Sequence, residues 1–521
     1  MSKNLILAFV LSVVIYTFWS KFLQKKYPEH YQDKAQSVAV QKPGEQPQSE
    51  FAVKQVSGQV NSTEAFKDNS VVGKTIPFSL KNASVIFSTK GAGISSFNYK
   101  GPVEISELVF YSEPGFFSTM ENVNFKLKKK SENFISFYAK PSRGISITKS
   151  YKWDREGGLN KLTISISNNT KKLIQFPAWN LNIGPGMGTV KSQKKENTKI
   201  WKSVFAIKNQ GKKQPSLKNL RKDPAQQGWL WAGVQNRYFL ACILGNKENN
   251  FDLEYKETKL DKKLHPPSAI FKQSETVIAP GKTKQFEIDF YFGAKDYRKL
   301  VALGHGLSRS IEFGFFSQLG KLAMKVLYFN YKLTKNYGWS IIILTVMIQI
   351  LMLPLTYKSS KSMMIMKKLQ PEIKKIQEKY KKEPKRLQQE TMALYKKHGT
   401  NPFGGCLPML VQIPIFFALF TALRNSWDIH GASWILWIGD LSAKDPYYVL
   451  PILMGAMMFF QQQMTMATTD KSQAAIFKWM PVVFTFIFLK FPSGLVLYWF
   501  TSNIISFLQQ LYLRKTMPKN S

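Results

Sequence analysis

Residue types that usually carry reaction chemistry are thin in this chain of 521 residues. The five histidines, His30, His265, His305, His398 and His430, are scattered, with no HExxH pair and no Cys/His cluster, so no metal site is expected. Paired carboxylates in a recognisable motif and a nucleophile elbow are missing too. Cys242 and Cys406 fall in a polar middle region and at the edge of an apolar run, so they are expected in different compartments and unpaired. What stands out instead is a set of polar side chains in costly places. The run 337–357, YGWSIIILTVMIQILMLPLTY, is long enough to cross a hydrocarbon layer of ~30 Å as a helix. It carries Gln349, with Thr345 one turn earlier and Thr356 two turns later. At about 100° per residue these three groups form one stripe. Such a stripe faces protein or a wet cavity rather than lipid; an amide acting as glue between helices and an amide lining a groove both fit it. The implied chemistry is non-covalent: hydrogen bonds offered inside a membrane.

Elements able to position that stripe follow from patterning. The net charge of +40 suits anionic partners such as lipid head groups, nucleic acid or the ribosome. Long apolar runs lie near the start and in the last third, with a polar middle between them. An apolar run at 5–23, flanked by lysines and lacking a small-x-small cleavage site, predicts an uncleaved anchor, 1–24. Residues 25–75, with KPGEQPQSE at their centre, read as a flexible linker. From 76 to 295, short alternating segments such as GISITKSYKW, LNKLTISISN and KQFEIDFYFG, punctuated by Gly, Asn, Pro and Lys, predict an antiparallel β-sandwich. Its basic loops read as solvated surface, with no nucleic-acid recognition expected. Residues 296–336 turn helical and interfacial, with Lys321 and Lys325 among Phe315, Leu319, Leu322, Met324 and Val326.

Residues 358–398 hold thirteen lysines and arginines against four glutamates. Met366, Leu369, Ile373, Ile376 and Tyr380 follow 3-4-3-4 spacing, and KKEP at 381–384 breaks the helix, so a helical hairpin is expected. By the positive-inside rule it is cytoplasmic. The remaining runs, 406–423, 447–460, 480–489 and 493–513, then alternate across the membrane, giving six spans, an external β-domain and both termini inside, with a cytoplasmic loop at 461–478 and a tail at 516–521. The fourth and fifth spans read as short against the ~20 residues a crossing needs, which suggests a thin, partly wet centre. Polar groups recur there: Gln412 in the third span, and Tyr498, Ser502 and Gln509 beside Trp499, Asn503 and Gln510 in the last. Apolar faces accompany them, one with Pro408, Phe416 and Phe420 and another with Pro481 and Phe484. A solute transporter would show inverted repeats or interrupted helices, and the sequence shows neither. A membrane-anchored β-domain would need one span, not six.

NYGWSIIILTVMIQILMLPLT, KKLQPEIKKIQEKY, MALYKKHGTNPFGGCLPMLVQIPIFFAL, LSAKDPYYVLPILMGAMMFFQQQM and FPSGLVLYWFTSNIISFLQQ closely resemble the YidC/Oxa/Alb membrane protein insertases, over nearly all of 336–515. The first span, the external β-domain and the basic hairpin resemble the Gram-negative form. The resemblance implies a non-enzymatic insertase and chaperone of the inner membrane without a cofactor, with a periplasmic β-domain and an insertase core at 337–515. It implies a lipid-embedded groove lined by Thr345, Gln349, Tyr498, Trp499 and Asn503. The apolar segment of a client would slide along Pro408, Phe416, Phe420, Pro481 and Phe484, and Lys367, Lys374, Lys381, Lys382 and Arg386 of the hairpin would recruit it. Implied partners are nascent membrane proteins, the ribosome, the Sec translocon, the signal recognition machinery and the phospholipid bilayer. One position departs from the family pattern: Gln349 stands where members carry an arginine, so hydrogen bonding without a fixed cation is expected here.

Overall fold

The computed structural model describes residues 73–111, 115–208, 214–223, 228–246, 249–260, 264–401, 407–465 and 471–516. The expected first anchor, nearly all of the linker, Cys406 and nearly all of the tail lie outside the described residues.

Alternating sequences form strands with one face on a core. In Ile145–Lys152 and Asn160–Asn168 every second side chain is buried, the period of a pleated strand. The two pair antiparallel, Ile147 opposite Ile166 and Tyr151 opposite Leu162. They belong to a nine-stranded sheet ordered Ser216–Asn219, Lys202–Ile207, Trp229–Gln235, Phe239–Leu244, Thr283–Ala294, Asn160–Asn168, Ile145–Lys152, Phe134–Ser142 and Lys126–Ser131. Against it pack Asp252–Glu257, Pro267–Gln273, Trp179–Ile183 and Ser118–Thr119 as a four-stranded sheet, and Thr75–Ser79, Ala83–Ser88, Ile94–Lys100 and Ile105–Glu107 as another.

Phe239–Leu244 (FLACIL) carries no alternation, and all of it is buried. The reason is that each of its faces meets a different core. Phe239, Ala241 and Ile243 join Phe205, Phe290 and Phe292 in the β-region. Leu240, Cys242 and Leu244 join Leu300, Leu307, Ile311, Phe313, Met324 and Leu327, in a cluster that runs on to Leu344, Leu423, Met454 and Tyr498. The sheet is therefore a wall shared by the β-region and the helices that follow. Cys242 sits in that wall as a free thiol, which burial pushes up from its ordinary pKa.

The described helices are α1 (Lys194–Ile200), α2 (Tyr297–Ala302), α3 (Ser317–Thr334), α4 (Tyr337–Lys368), α5 (Gln370–Lys379), α6 (Pro384–Lys397), α7 (Leu407–Asn425), α8 (Val449–Thr465), α9 (Lys471–Phe488) and α10 (Ser493–Thr516). Of these, α4 and α7 are long and apolar enough to cross a membrane by length and composition. The apolar run that opens α4 ends at Tyr357, yet the helix continues to Lys368, since nothing between them breaks it. The expected break at KKEP is real: Pro384 opens α6, where a missing N–H costs nothing. Helices α8 and α9 are longer than the apolar runs inside them, 17 and 18 residues. At ~1.5 Å per residue either reaches about 25 Å, still under a ~30 Å hydrocarbon layer, and the apolar part of α9, Trp479–Phe488, is shorter again, so both remain short as spans. The loop expected at 461–478 is correspondingly reduced, because α8 continues through the glutamines Gln461 to Gln463 and α9 begins at Lys471. Helix α3 departs from a one-sided interfacial helix. Met324, Leu327 and Tyr328 face the core, whereas Leu319, Leu322, Phe329 and Leu333 form a second, exposed apolar face.

Polar contacts set the β-region against the helices. The Glu196 carboxylate of α1 receives Arg237 and Arg424, each at 2.9 Å, which hold its pKa down, Arg237 most. Asp428, just beyond α7, accepts from Tyr328 at 2.7 Å and Arg298 at 3.2 Å. Trp427 packs among Tyr99, Tyr238, Phe239 and His430. The Asn336 side chain caps α4, accepting from Gly338 N at 2.8 Å, and donates to Ser433 O and Trp434 O in the α7–α8 loop.

Two outcomes follow. A Cβ at Gly338 would stand 2.0 Å from Trp434 Cδ1, so Gly338→Ala is expected to destabilise by about 1–3 kcal/mol and to alter Trp434 fluorescence; unchanged thermal unfolding in detergent would contradict the packing. Lys295 is buried, donating to Asn236 O at 2.7 Å and Ser310 O at 2.8 Å, and burial pushes its ammonium down to about 7. Unfolded, the same lysine titrates near ~10.4, so between these values the unfolded chain binds the extra proton and stability rises with pH. The unfolding temperature of the full chain should climb as pH rises above about 7, and Lys295→Met should flatten that climb; parallel profiles would rule the assignment out.

Candidate functional site: a polar seam between three helices

Helix α4 turns one face inward, and Ile341, Leu344, Thr345 and Gln349 are buried along it. Of the polar stripe legible in the sequence, Thr345 and Gln349 lie on this face, and Thr356 is half-buried. Its threonines satisfy themselves locally: Thr345 donates to Ile341 O at 2.7 Å, and Thr356 to Leu353 O at 3.0 Å and Met352 O at 3.2 Å. Only Gln349 reaches out. Its amide donates to the Ser502 hydroxyl of α10, and Gln412 of α7 donates to the same oxygen at 3.2 Å. One hydroxyl thus receives amides from two other helices.

The surroundings are tight. Gln349 is 5% exposed and Ser502 3%, with Thr345 and Tyr498 also buried. Asn503 Nδ2 lies buried without a hydrogen bond among the described residues, and Tyr498 Oη lies against the Gln412 amide. Buried Lys, Arg, Asp or Glu side chains among the described residues occur elsewhere, at Lys149, Lys295 and Asp445, so the seam is polar but uncharged. Arg424 is no substitute cation for it, being engaged by Glu196 at the far end of α7.

Beside the seam lies an aromatic cluster. Trp499 meets Phe416 at 5.1 Å, Phe488 at 5.4 Å and Phe484 at 6.3 Å between ring centres; Phe416 stacks on Phe420 at 6.3 Å. Thus Phe416, Phe420, Phe484 and Trp499 come together, with Trp499 on the border of seam and cluster. Pro481 is buried and Pro408 half-buried, away from these ring contacts. The outward sides of the same helices expose Met409, Leu410, Ile413 and Phe417 on α7 and Val482, Val483, Phe486 and Ile487 on α9.

Lys367, Lys374, Lys381, Lys382 and Arg386 are all exposed, at the end of α4 and on the hairpin of α5 and α6. The 3-4-3-4 seam survives as the buried pair Leu369 and Ile373 with half-buried Met366, Ile376 and Tyr380. Ser502 and Gln412 are the members whose importance the sequence did not reveal. Each was visible as a polar residue in an apolar run, but a shared hydroxyl among three helices has no signature in spacing along one of them.

Known families match both halves of the chain. The profile described as 60Kd inner membrane protein matches residues 329–520, and that of the YidC periplasmic domain matches 106–350. A membrane protein insertase YidC from Endomicrobium trichonymphae is 38% identical over 527 residues, covering 99% of this chain and 98% of that one. The insertase YidC of Syntrophus aciditrophicus is 35% identical over 99% of this chain and 100% of its own. A solved active YidC insertase with its first transmembrane domain resolved covers 86% of this chain and 94% of its own at 18% identity and a TM-score of 0.41. A galactose mutarotase related enzyme from Lactobacillus acidophilus covers 42% of this chain, within the β-region's share, at 11% identity and a TM-score of 0.29. Matched along its whole length by insertases, the chain belongs to the YidC family of membrane protein insertases, a non-enzymatic family of inner-membrane proteins with a periplasmic domain.

Proposed function

We propose that this protein inserts nascent inner-membrane proteins and helps them fold, alone or beside a Sec translocon, through a polar path formed by α4, α7 and α10. The supporting observation is the meeting of Gln349, Gln412 and Ser502 inside helices that are otherwise apolar. A peptide group forced into hydrocarbon without a partner costs several kcal/mol, so a polar tail cannot cross unaided. Neutral amides and hydroxyls offer both donors and acceptors to such a tail. They do so without the still larger cost of a buried ion, and so suit tails of either charge.

The aromatic cluster of Phe416, Phe420, Phe484 and Trp499 gives the apolar part of the client a surface beside that path. From there it can leave into lipid. The exposed lysines of the α5–α6 hairpin suit an acidic or ribosome-borne partner, and the ribosome and signal recognition machinery are assigned to that side, in the cytoplasm. Six spans, with both termini cytoplasmic and the β-domain periplasmic, complete the reading. The periplasmic domain is joined to the spans by a common core, which holds the outer end of α7 in place.

Photo-crosslinkers placed at Gln349 and at Phe416 test this directly. Both are expected to capture a ribosome-stalled single-span client, Gln349 through its polar tail and Phe416 through its apolar segment. Capture from neither position, with a control position on the exposed face of α6 equally reactive, would refute it.

A further inference from the structure

Resting on the insertase reading above, we infer that the polar seam is latched shut in the idle protein, with the Ser502 hydroxyl as the latch and the incoming polar segment as the key. Gln349 and Gln412 both donate to Ser502, tying α4 and α7 to α10 at one point. A path standing open would leave these groups in contact with solvent, but Gln349 is 5% exposed, Ser502 3%, Tyr498 1% and Thr345 fully buried. The seam holds no charged side chain among the described residues, so nothing in it compels water to stay. An uncharged seam can close dry.

The closed arrangement is also incomplete. Asn503 Nδ2 is buried without a hydrogen bond among the described residues, which is unfavourable. Separating the helices breaks the two amide bonds to Ser502 and, in an empty hydrocarbon setting, returns nothing. With a polar chain in the seam, its carbonyls and N–H groups meet the freed Gln349 and Gln412 amides and the unpartnered Asn503 amide as well. The client therefore binds the open state better than the closed one, which is the condition for a ligand to shift such an equilibrium. Ser502 in this scheme is a positioning residue. It sets how readily the seam opens and discriminates between segments able to replace its hydrogen bonds and purely apolar ones that cannot.

The test uses the full chain in lipid vesicles with Cys406→Ser and a thiol probe at Thr345→Cys, one turn from Gln349 on the same buried face. Modification by N-ethylmaleimide should be slow in the idle protein and rise about tenfold when a ribosome-stalled client is bound, the scale of one buried hydrogen bond. Ser502→Ala should raise the idle rate by about as much, and Ser502→Thr, which keeps the acceptor, should not. Hydroxyl-radical labelling of Tyr498 in the unsubstituted protein gives the same readout should Thr345→Cys fail to fold. Fast modification of the idle protein, or no effect of Ser502→Ala, would overturn the latch. Crosslinking of the client from Phe416 separates the two ideas. Capture at Phe416 with position 345 still shielded overturns the latch and leaves the insertase reading intact, and no capture at all removes both.

Discussion

A hydrogen-bonding group inside a hydrocarbon layer must find a partner, and in this protein the Ser502 hydroxyl is where that demand is met. Three helices each bring a polar side chain to a place without charge, and the amides of two of them, buried Gln349 and half-buried Gln412, converge on the hydroxyl of the third. This imposes a register on α4, α7 and α10 that apolar packing would leave free, since one aliphatic side chain slides past another at small cost. It also places Trp499 between the polar seam and the Phe416–Phe420 stack. The polar seam and the aromatic cluster are neighbours because of it.

The rest of the architecture holds those helices at their outer ends. Phe239–Leu244 supplies alternate side chains to two cores, so the β-region continues into the helical part through Leu300, Ile311, Phe313 and Met324. Asn336 ties the start of α4 to the α7–α8 loop, and Glu196 and Asp428 clamp the end of α7 to its surroundings. The opposite end of the helices is built differently. There the α5–α6 hairpin buries little beyond Leu369 and Ile373 and keeps its lysines in water.

Much of this was legible in the residues. Thr345 and Gln349 of the stripe fall on the inward side of α4 while Thr356 is only half-buried, Pro384 starts a helix where KKEP was read as a break, and strands such as Ile145–Lys152 follow their alternation. Misreadings have physical causes. Phe239–Leu244 went unread because a strand covered on both faces loses the period of two, and α8 and α9 were cut short because apolar composition ends before helix-forming backbone does. That Gln349 bonds to Ser502 could not be read from one helix, since the two lie 153 residues apart. Polar and apolar patterning brought Trp499, Phe416 and Phe484 into view, family resemblance supplied the roles expected of them, and the structure adds that Trp499 meets both phenylalanines.

Insertion kinetics of Gln349→Leu most directly probe the requirement for polar partners inside the membrane. A leucine keeps the bulk and helix propensity of the site while removing both its donor and its acceptor. In vesicles of the purified protein, insertion of a single-span client with a polar leading tail should slow by about tenfold or more, while a client with a short apolar leading end is spared. Equal rates for the variant and the original protein with the polar-tailed client would contradict a path built on hydrogen bonds at this depth.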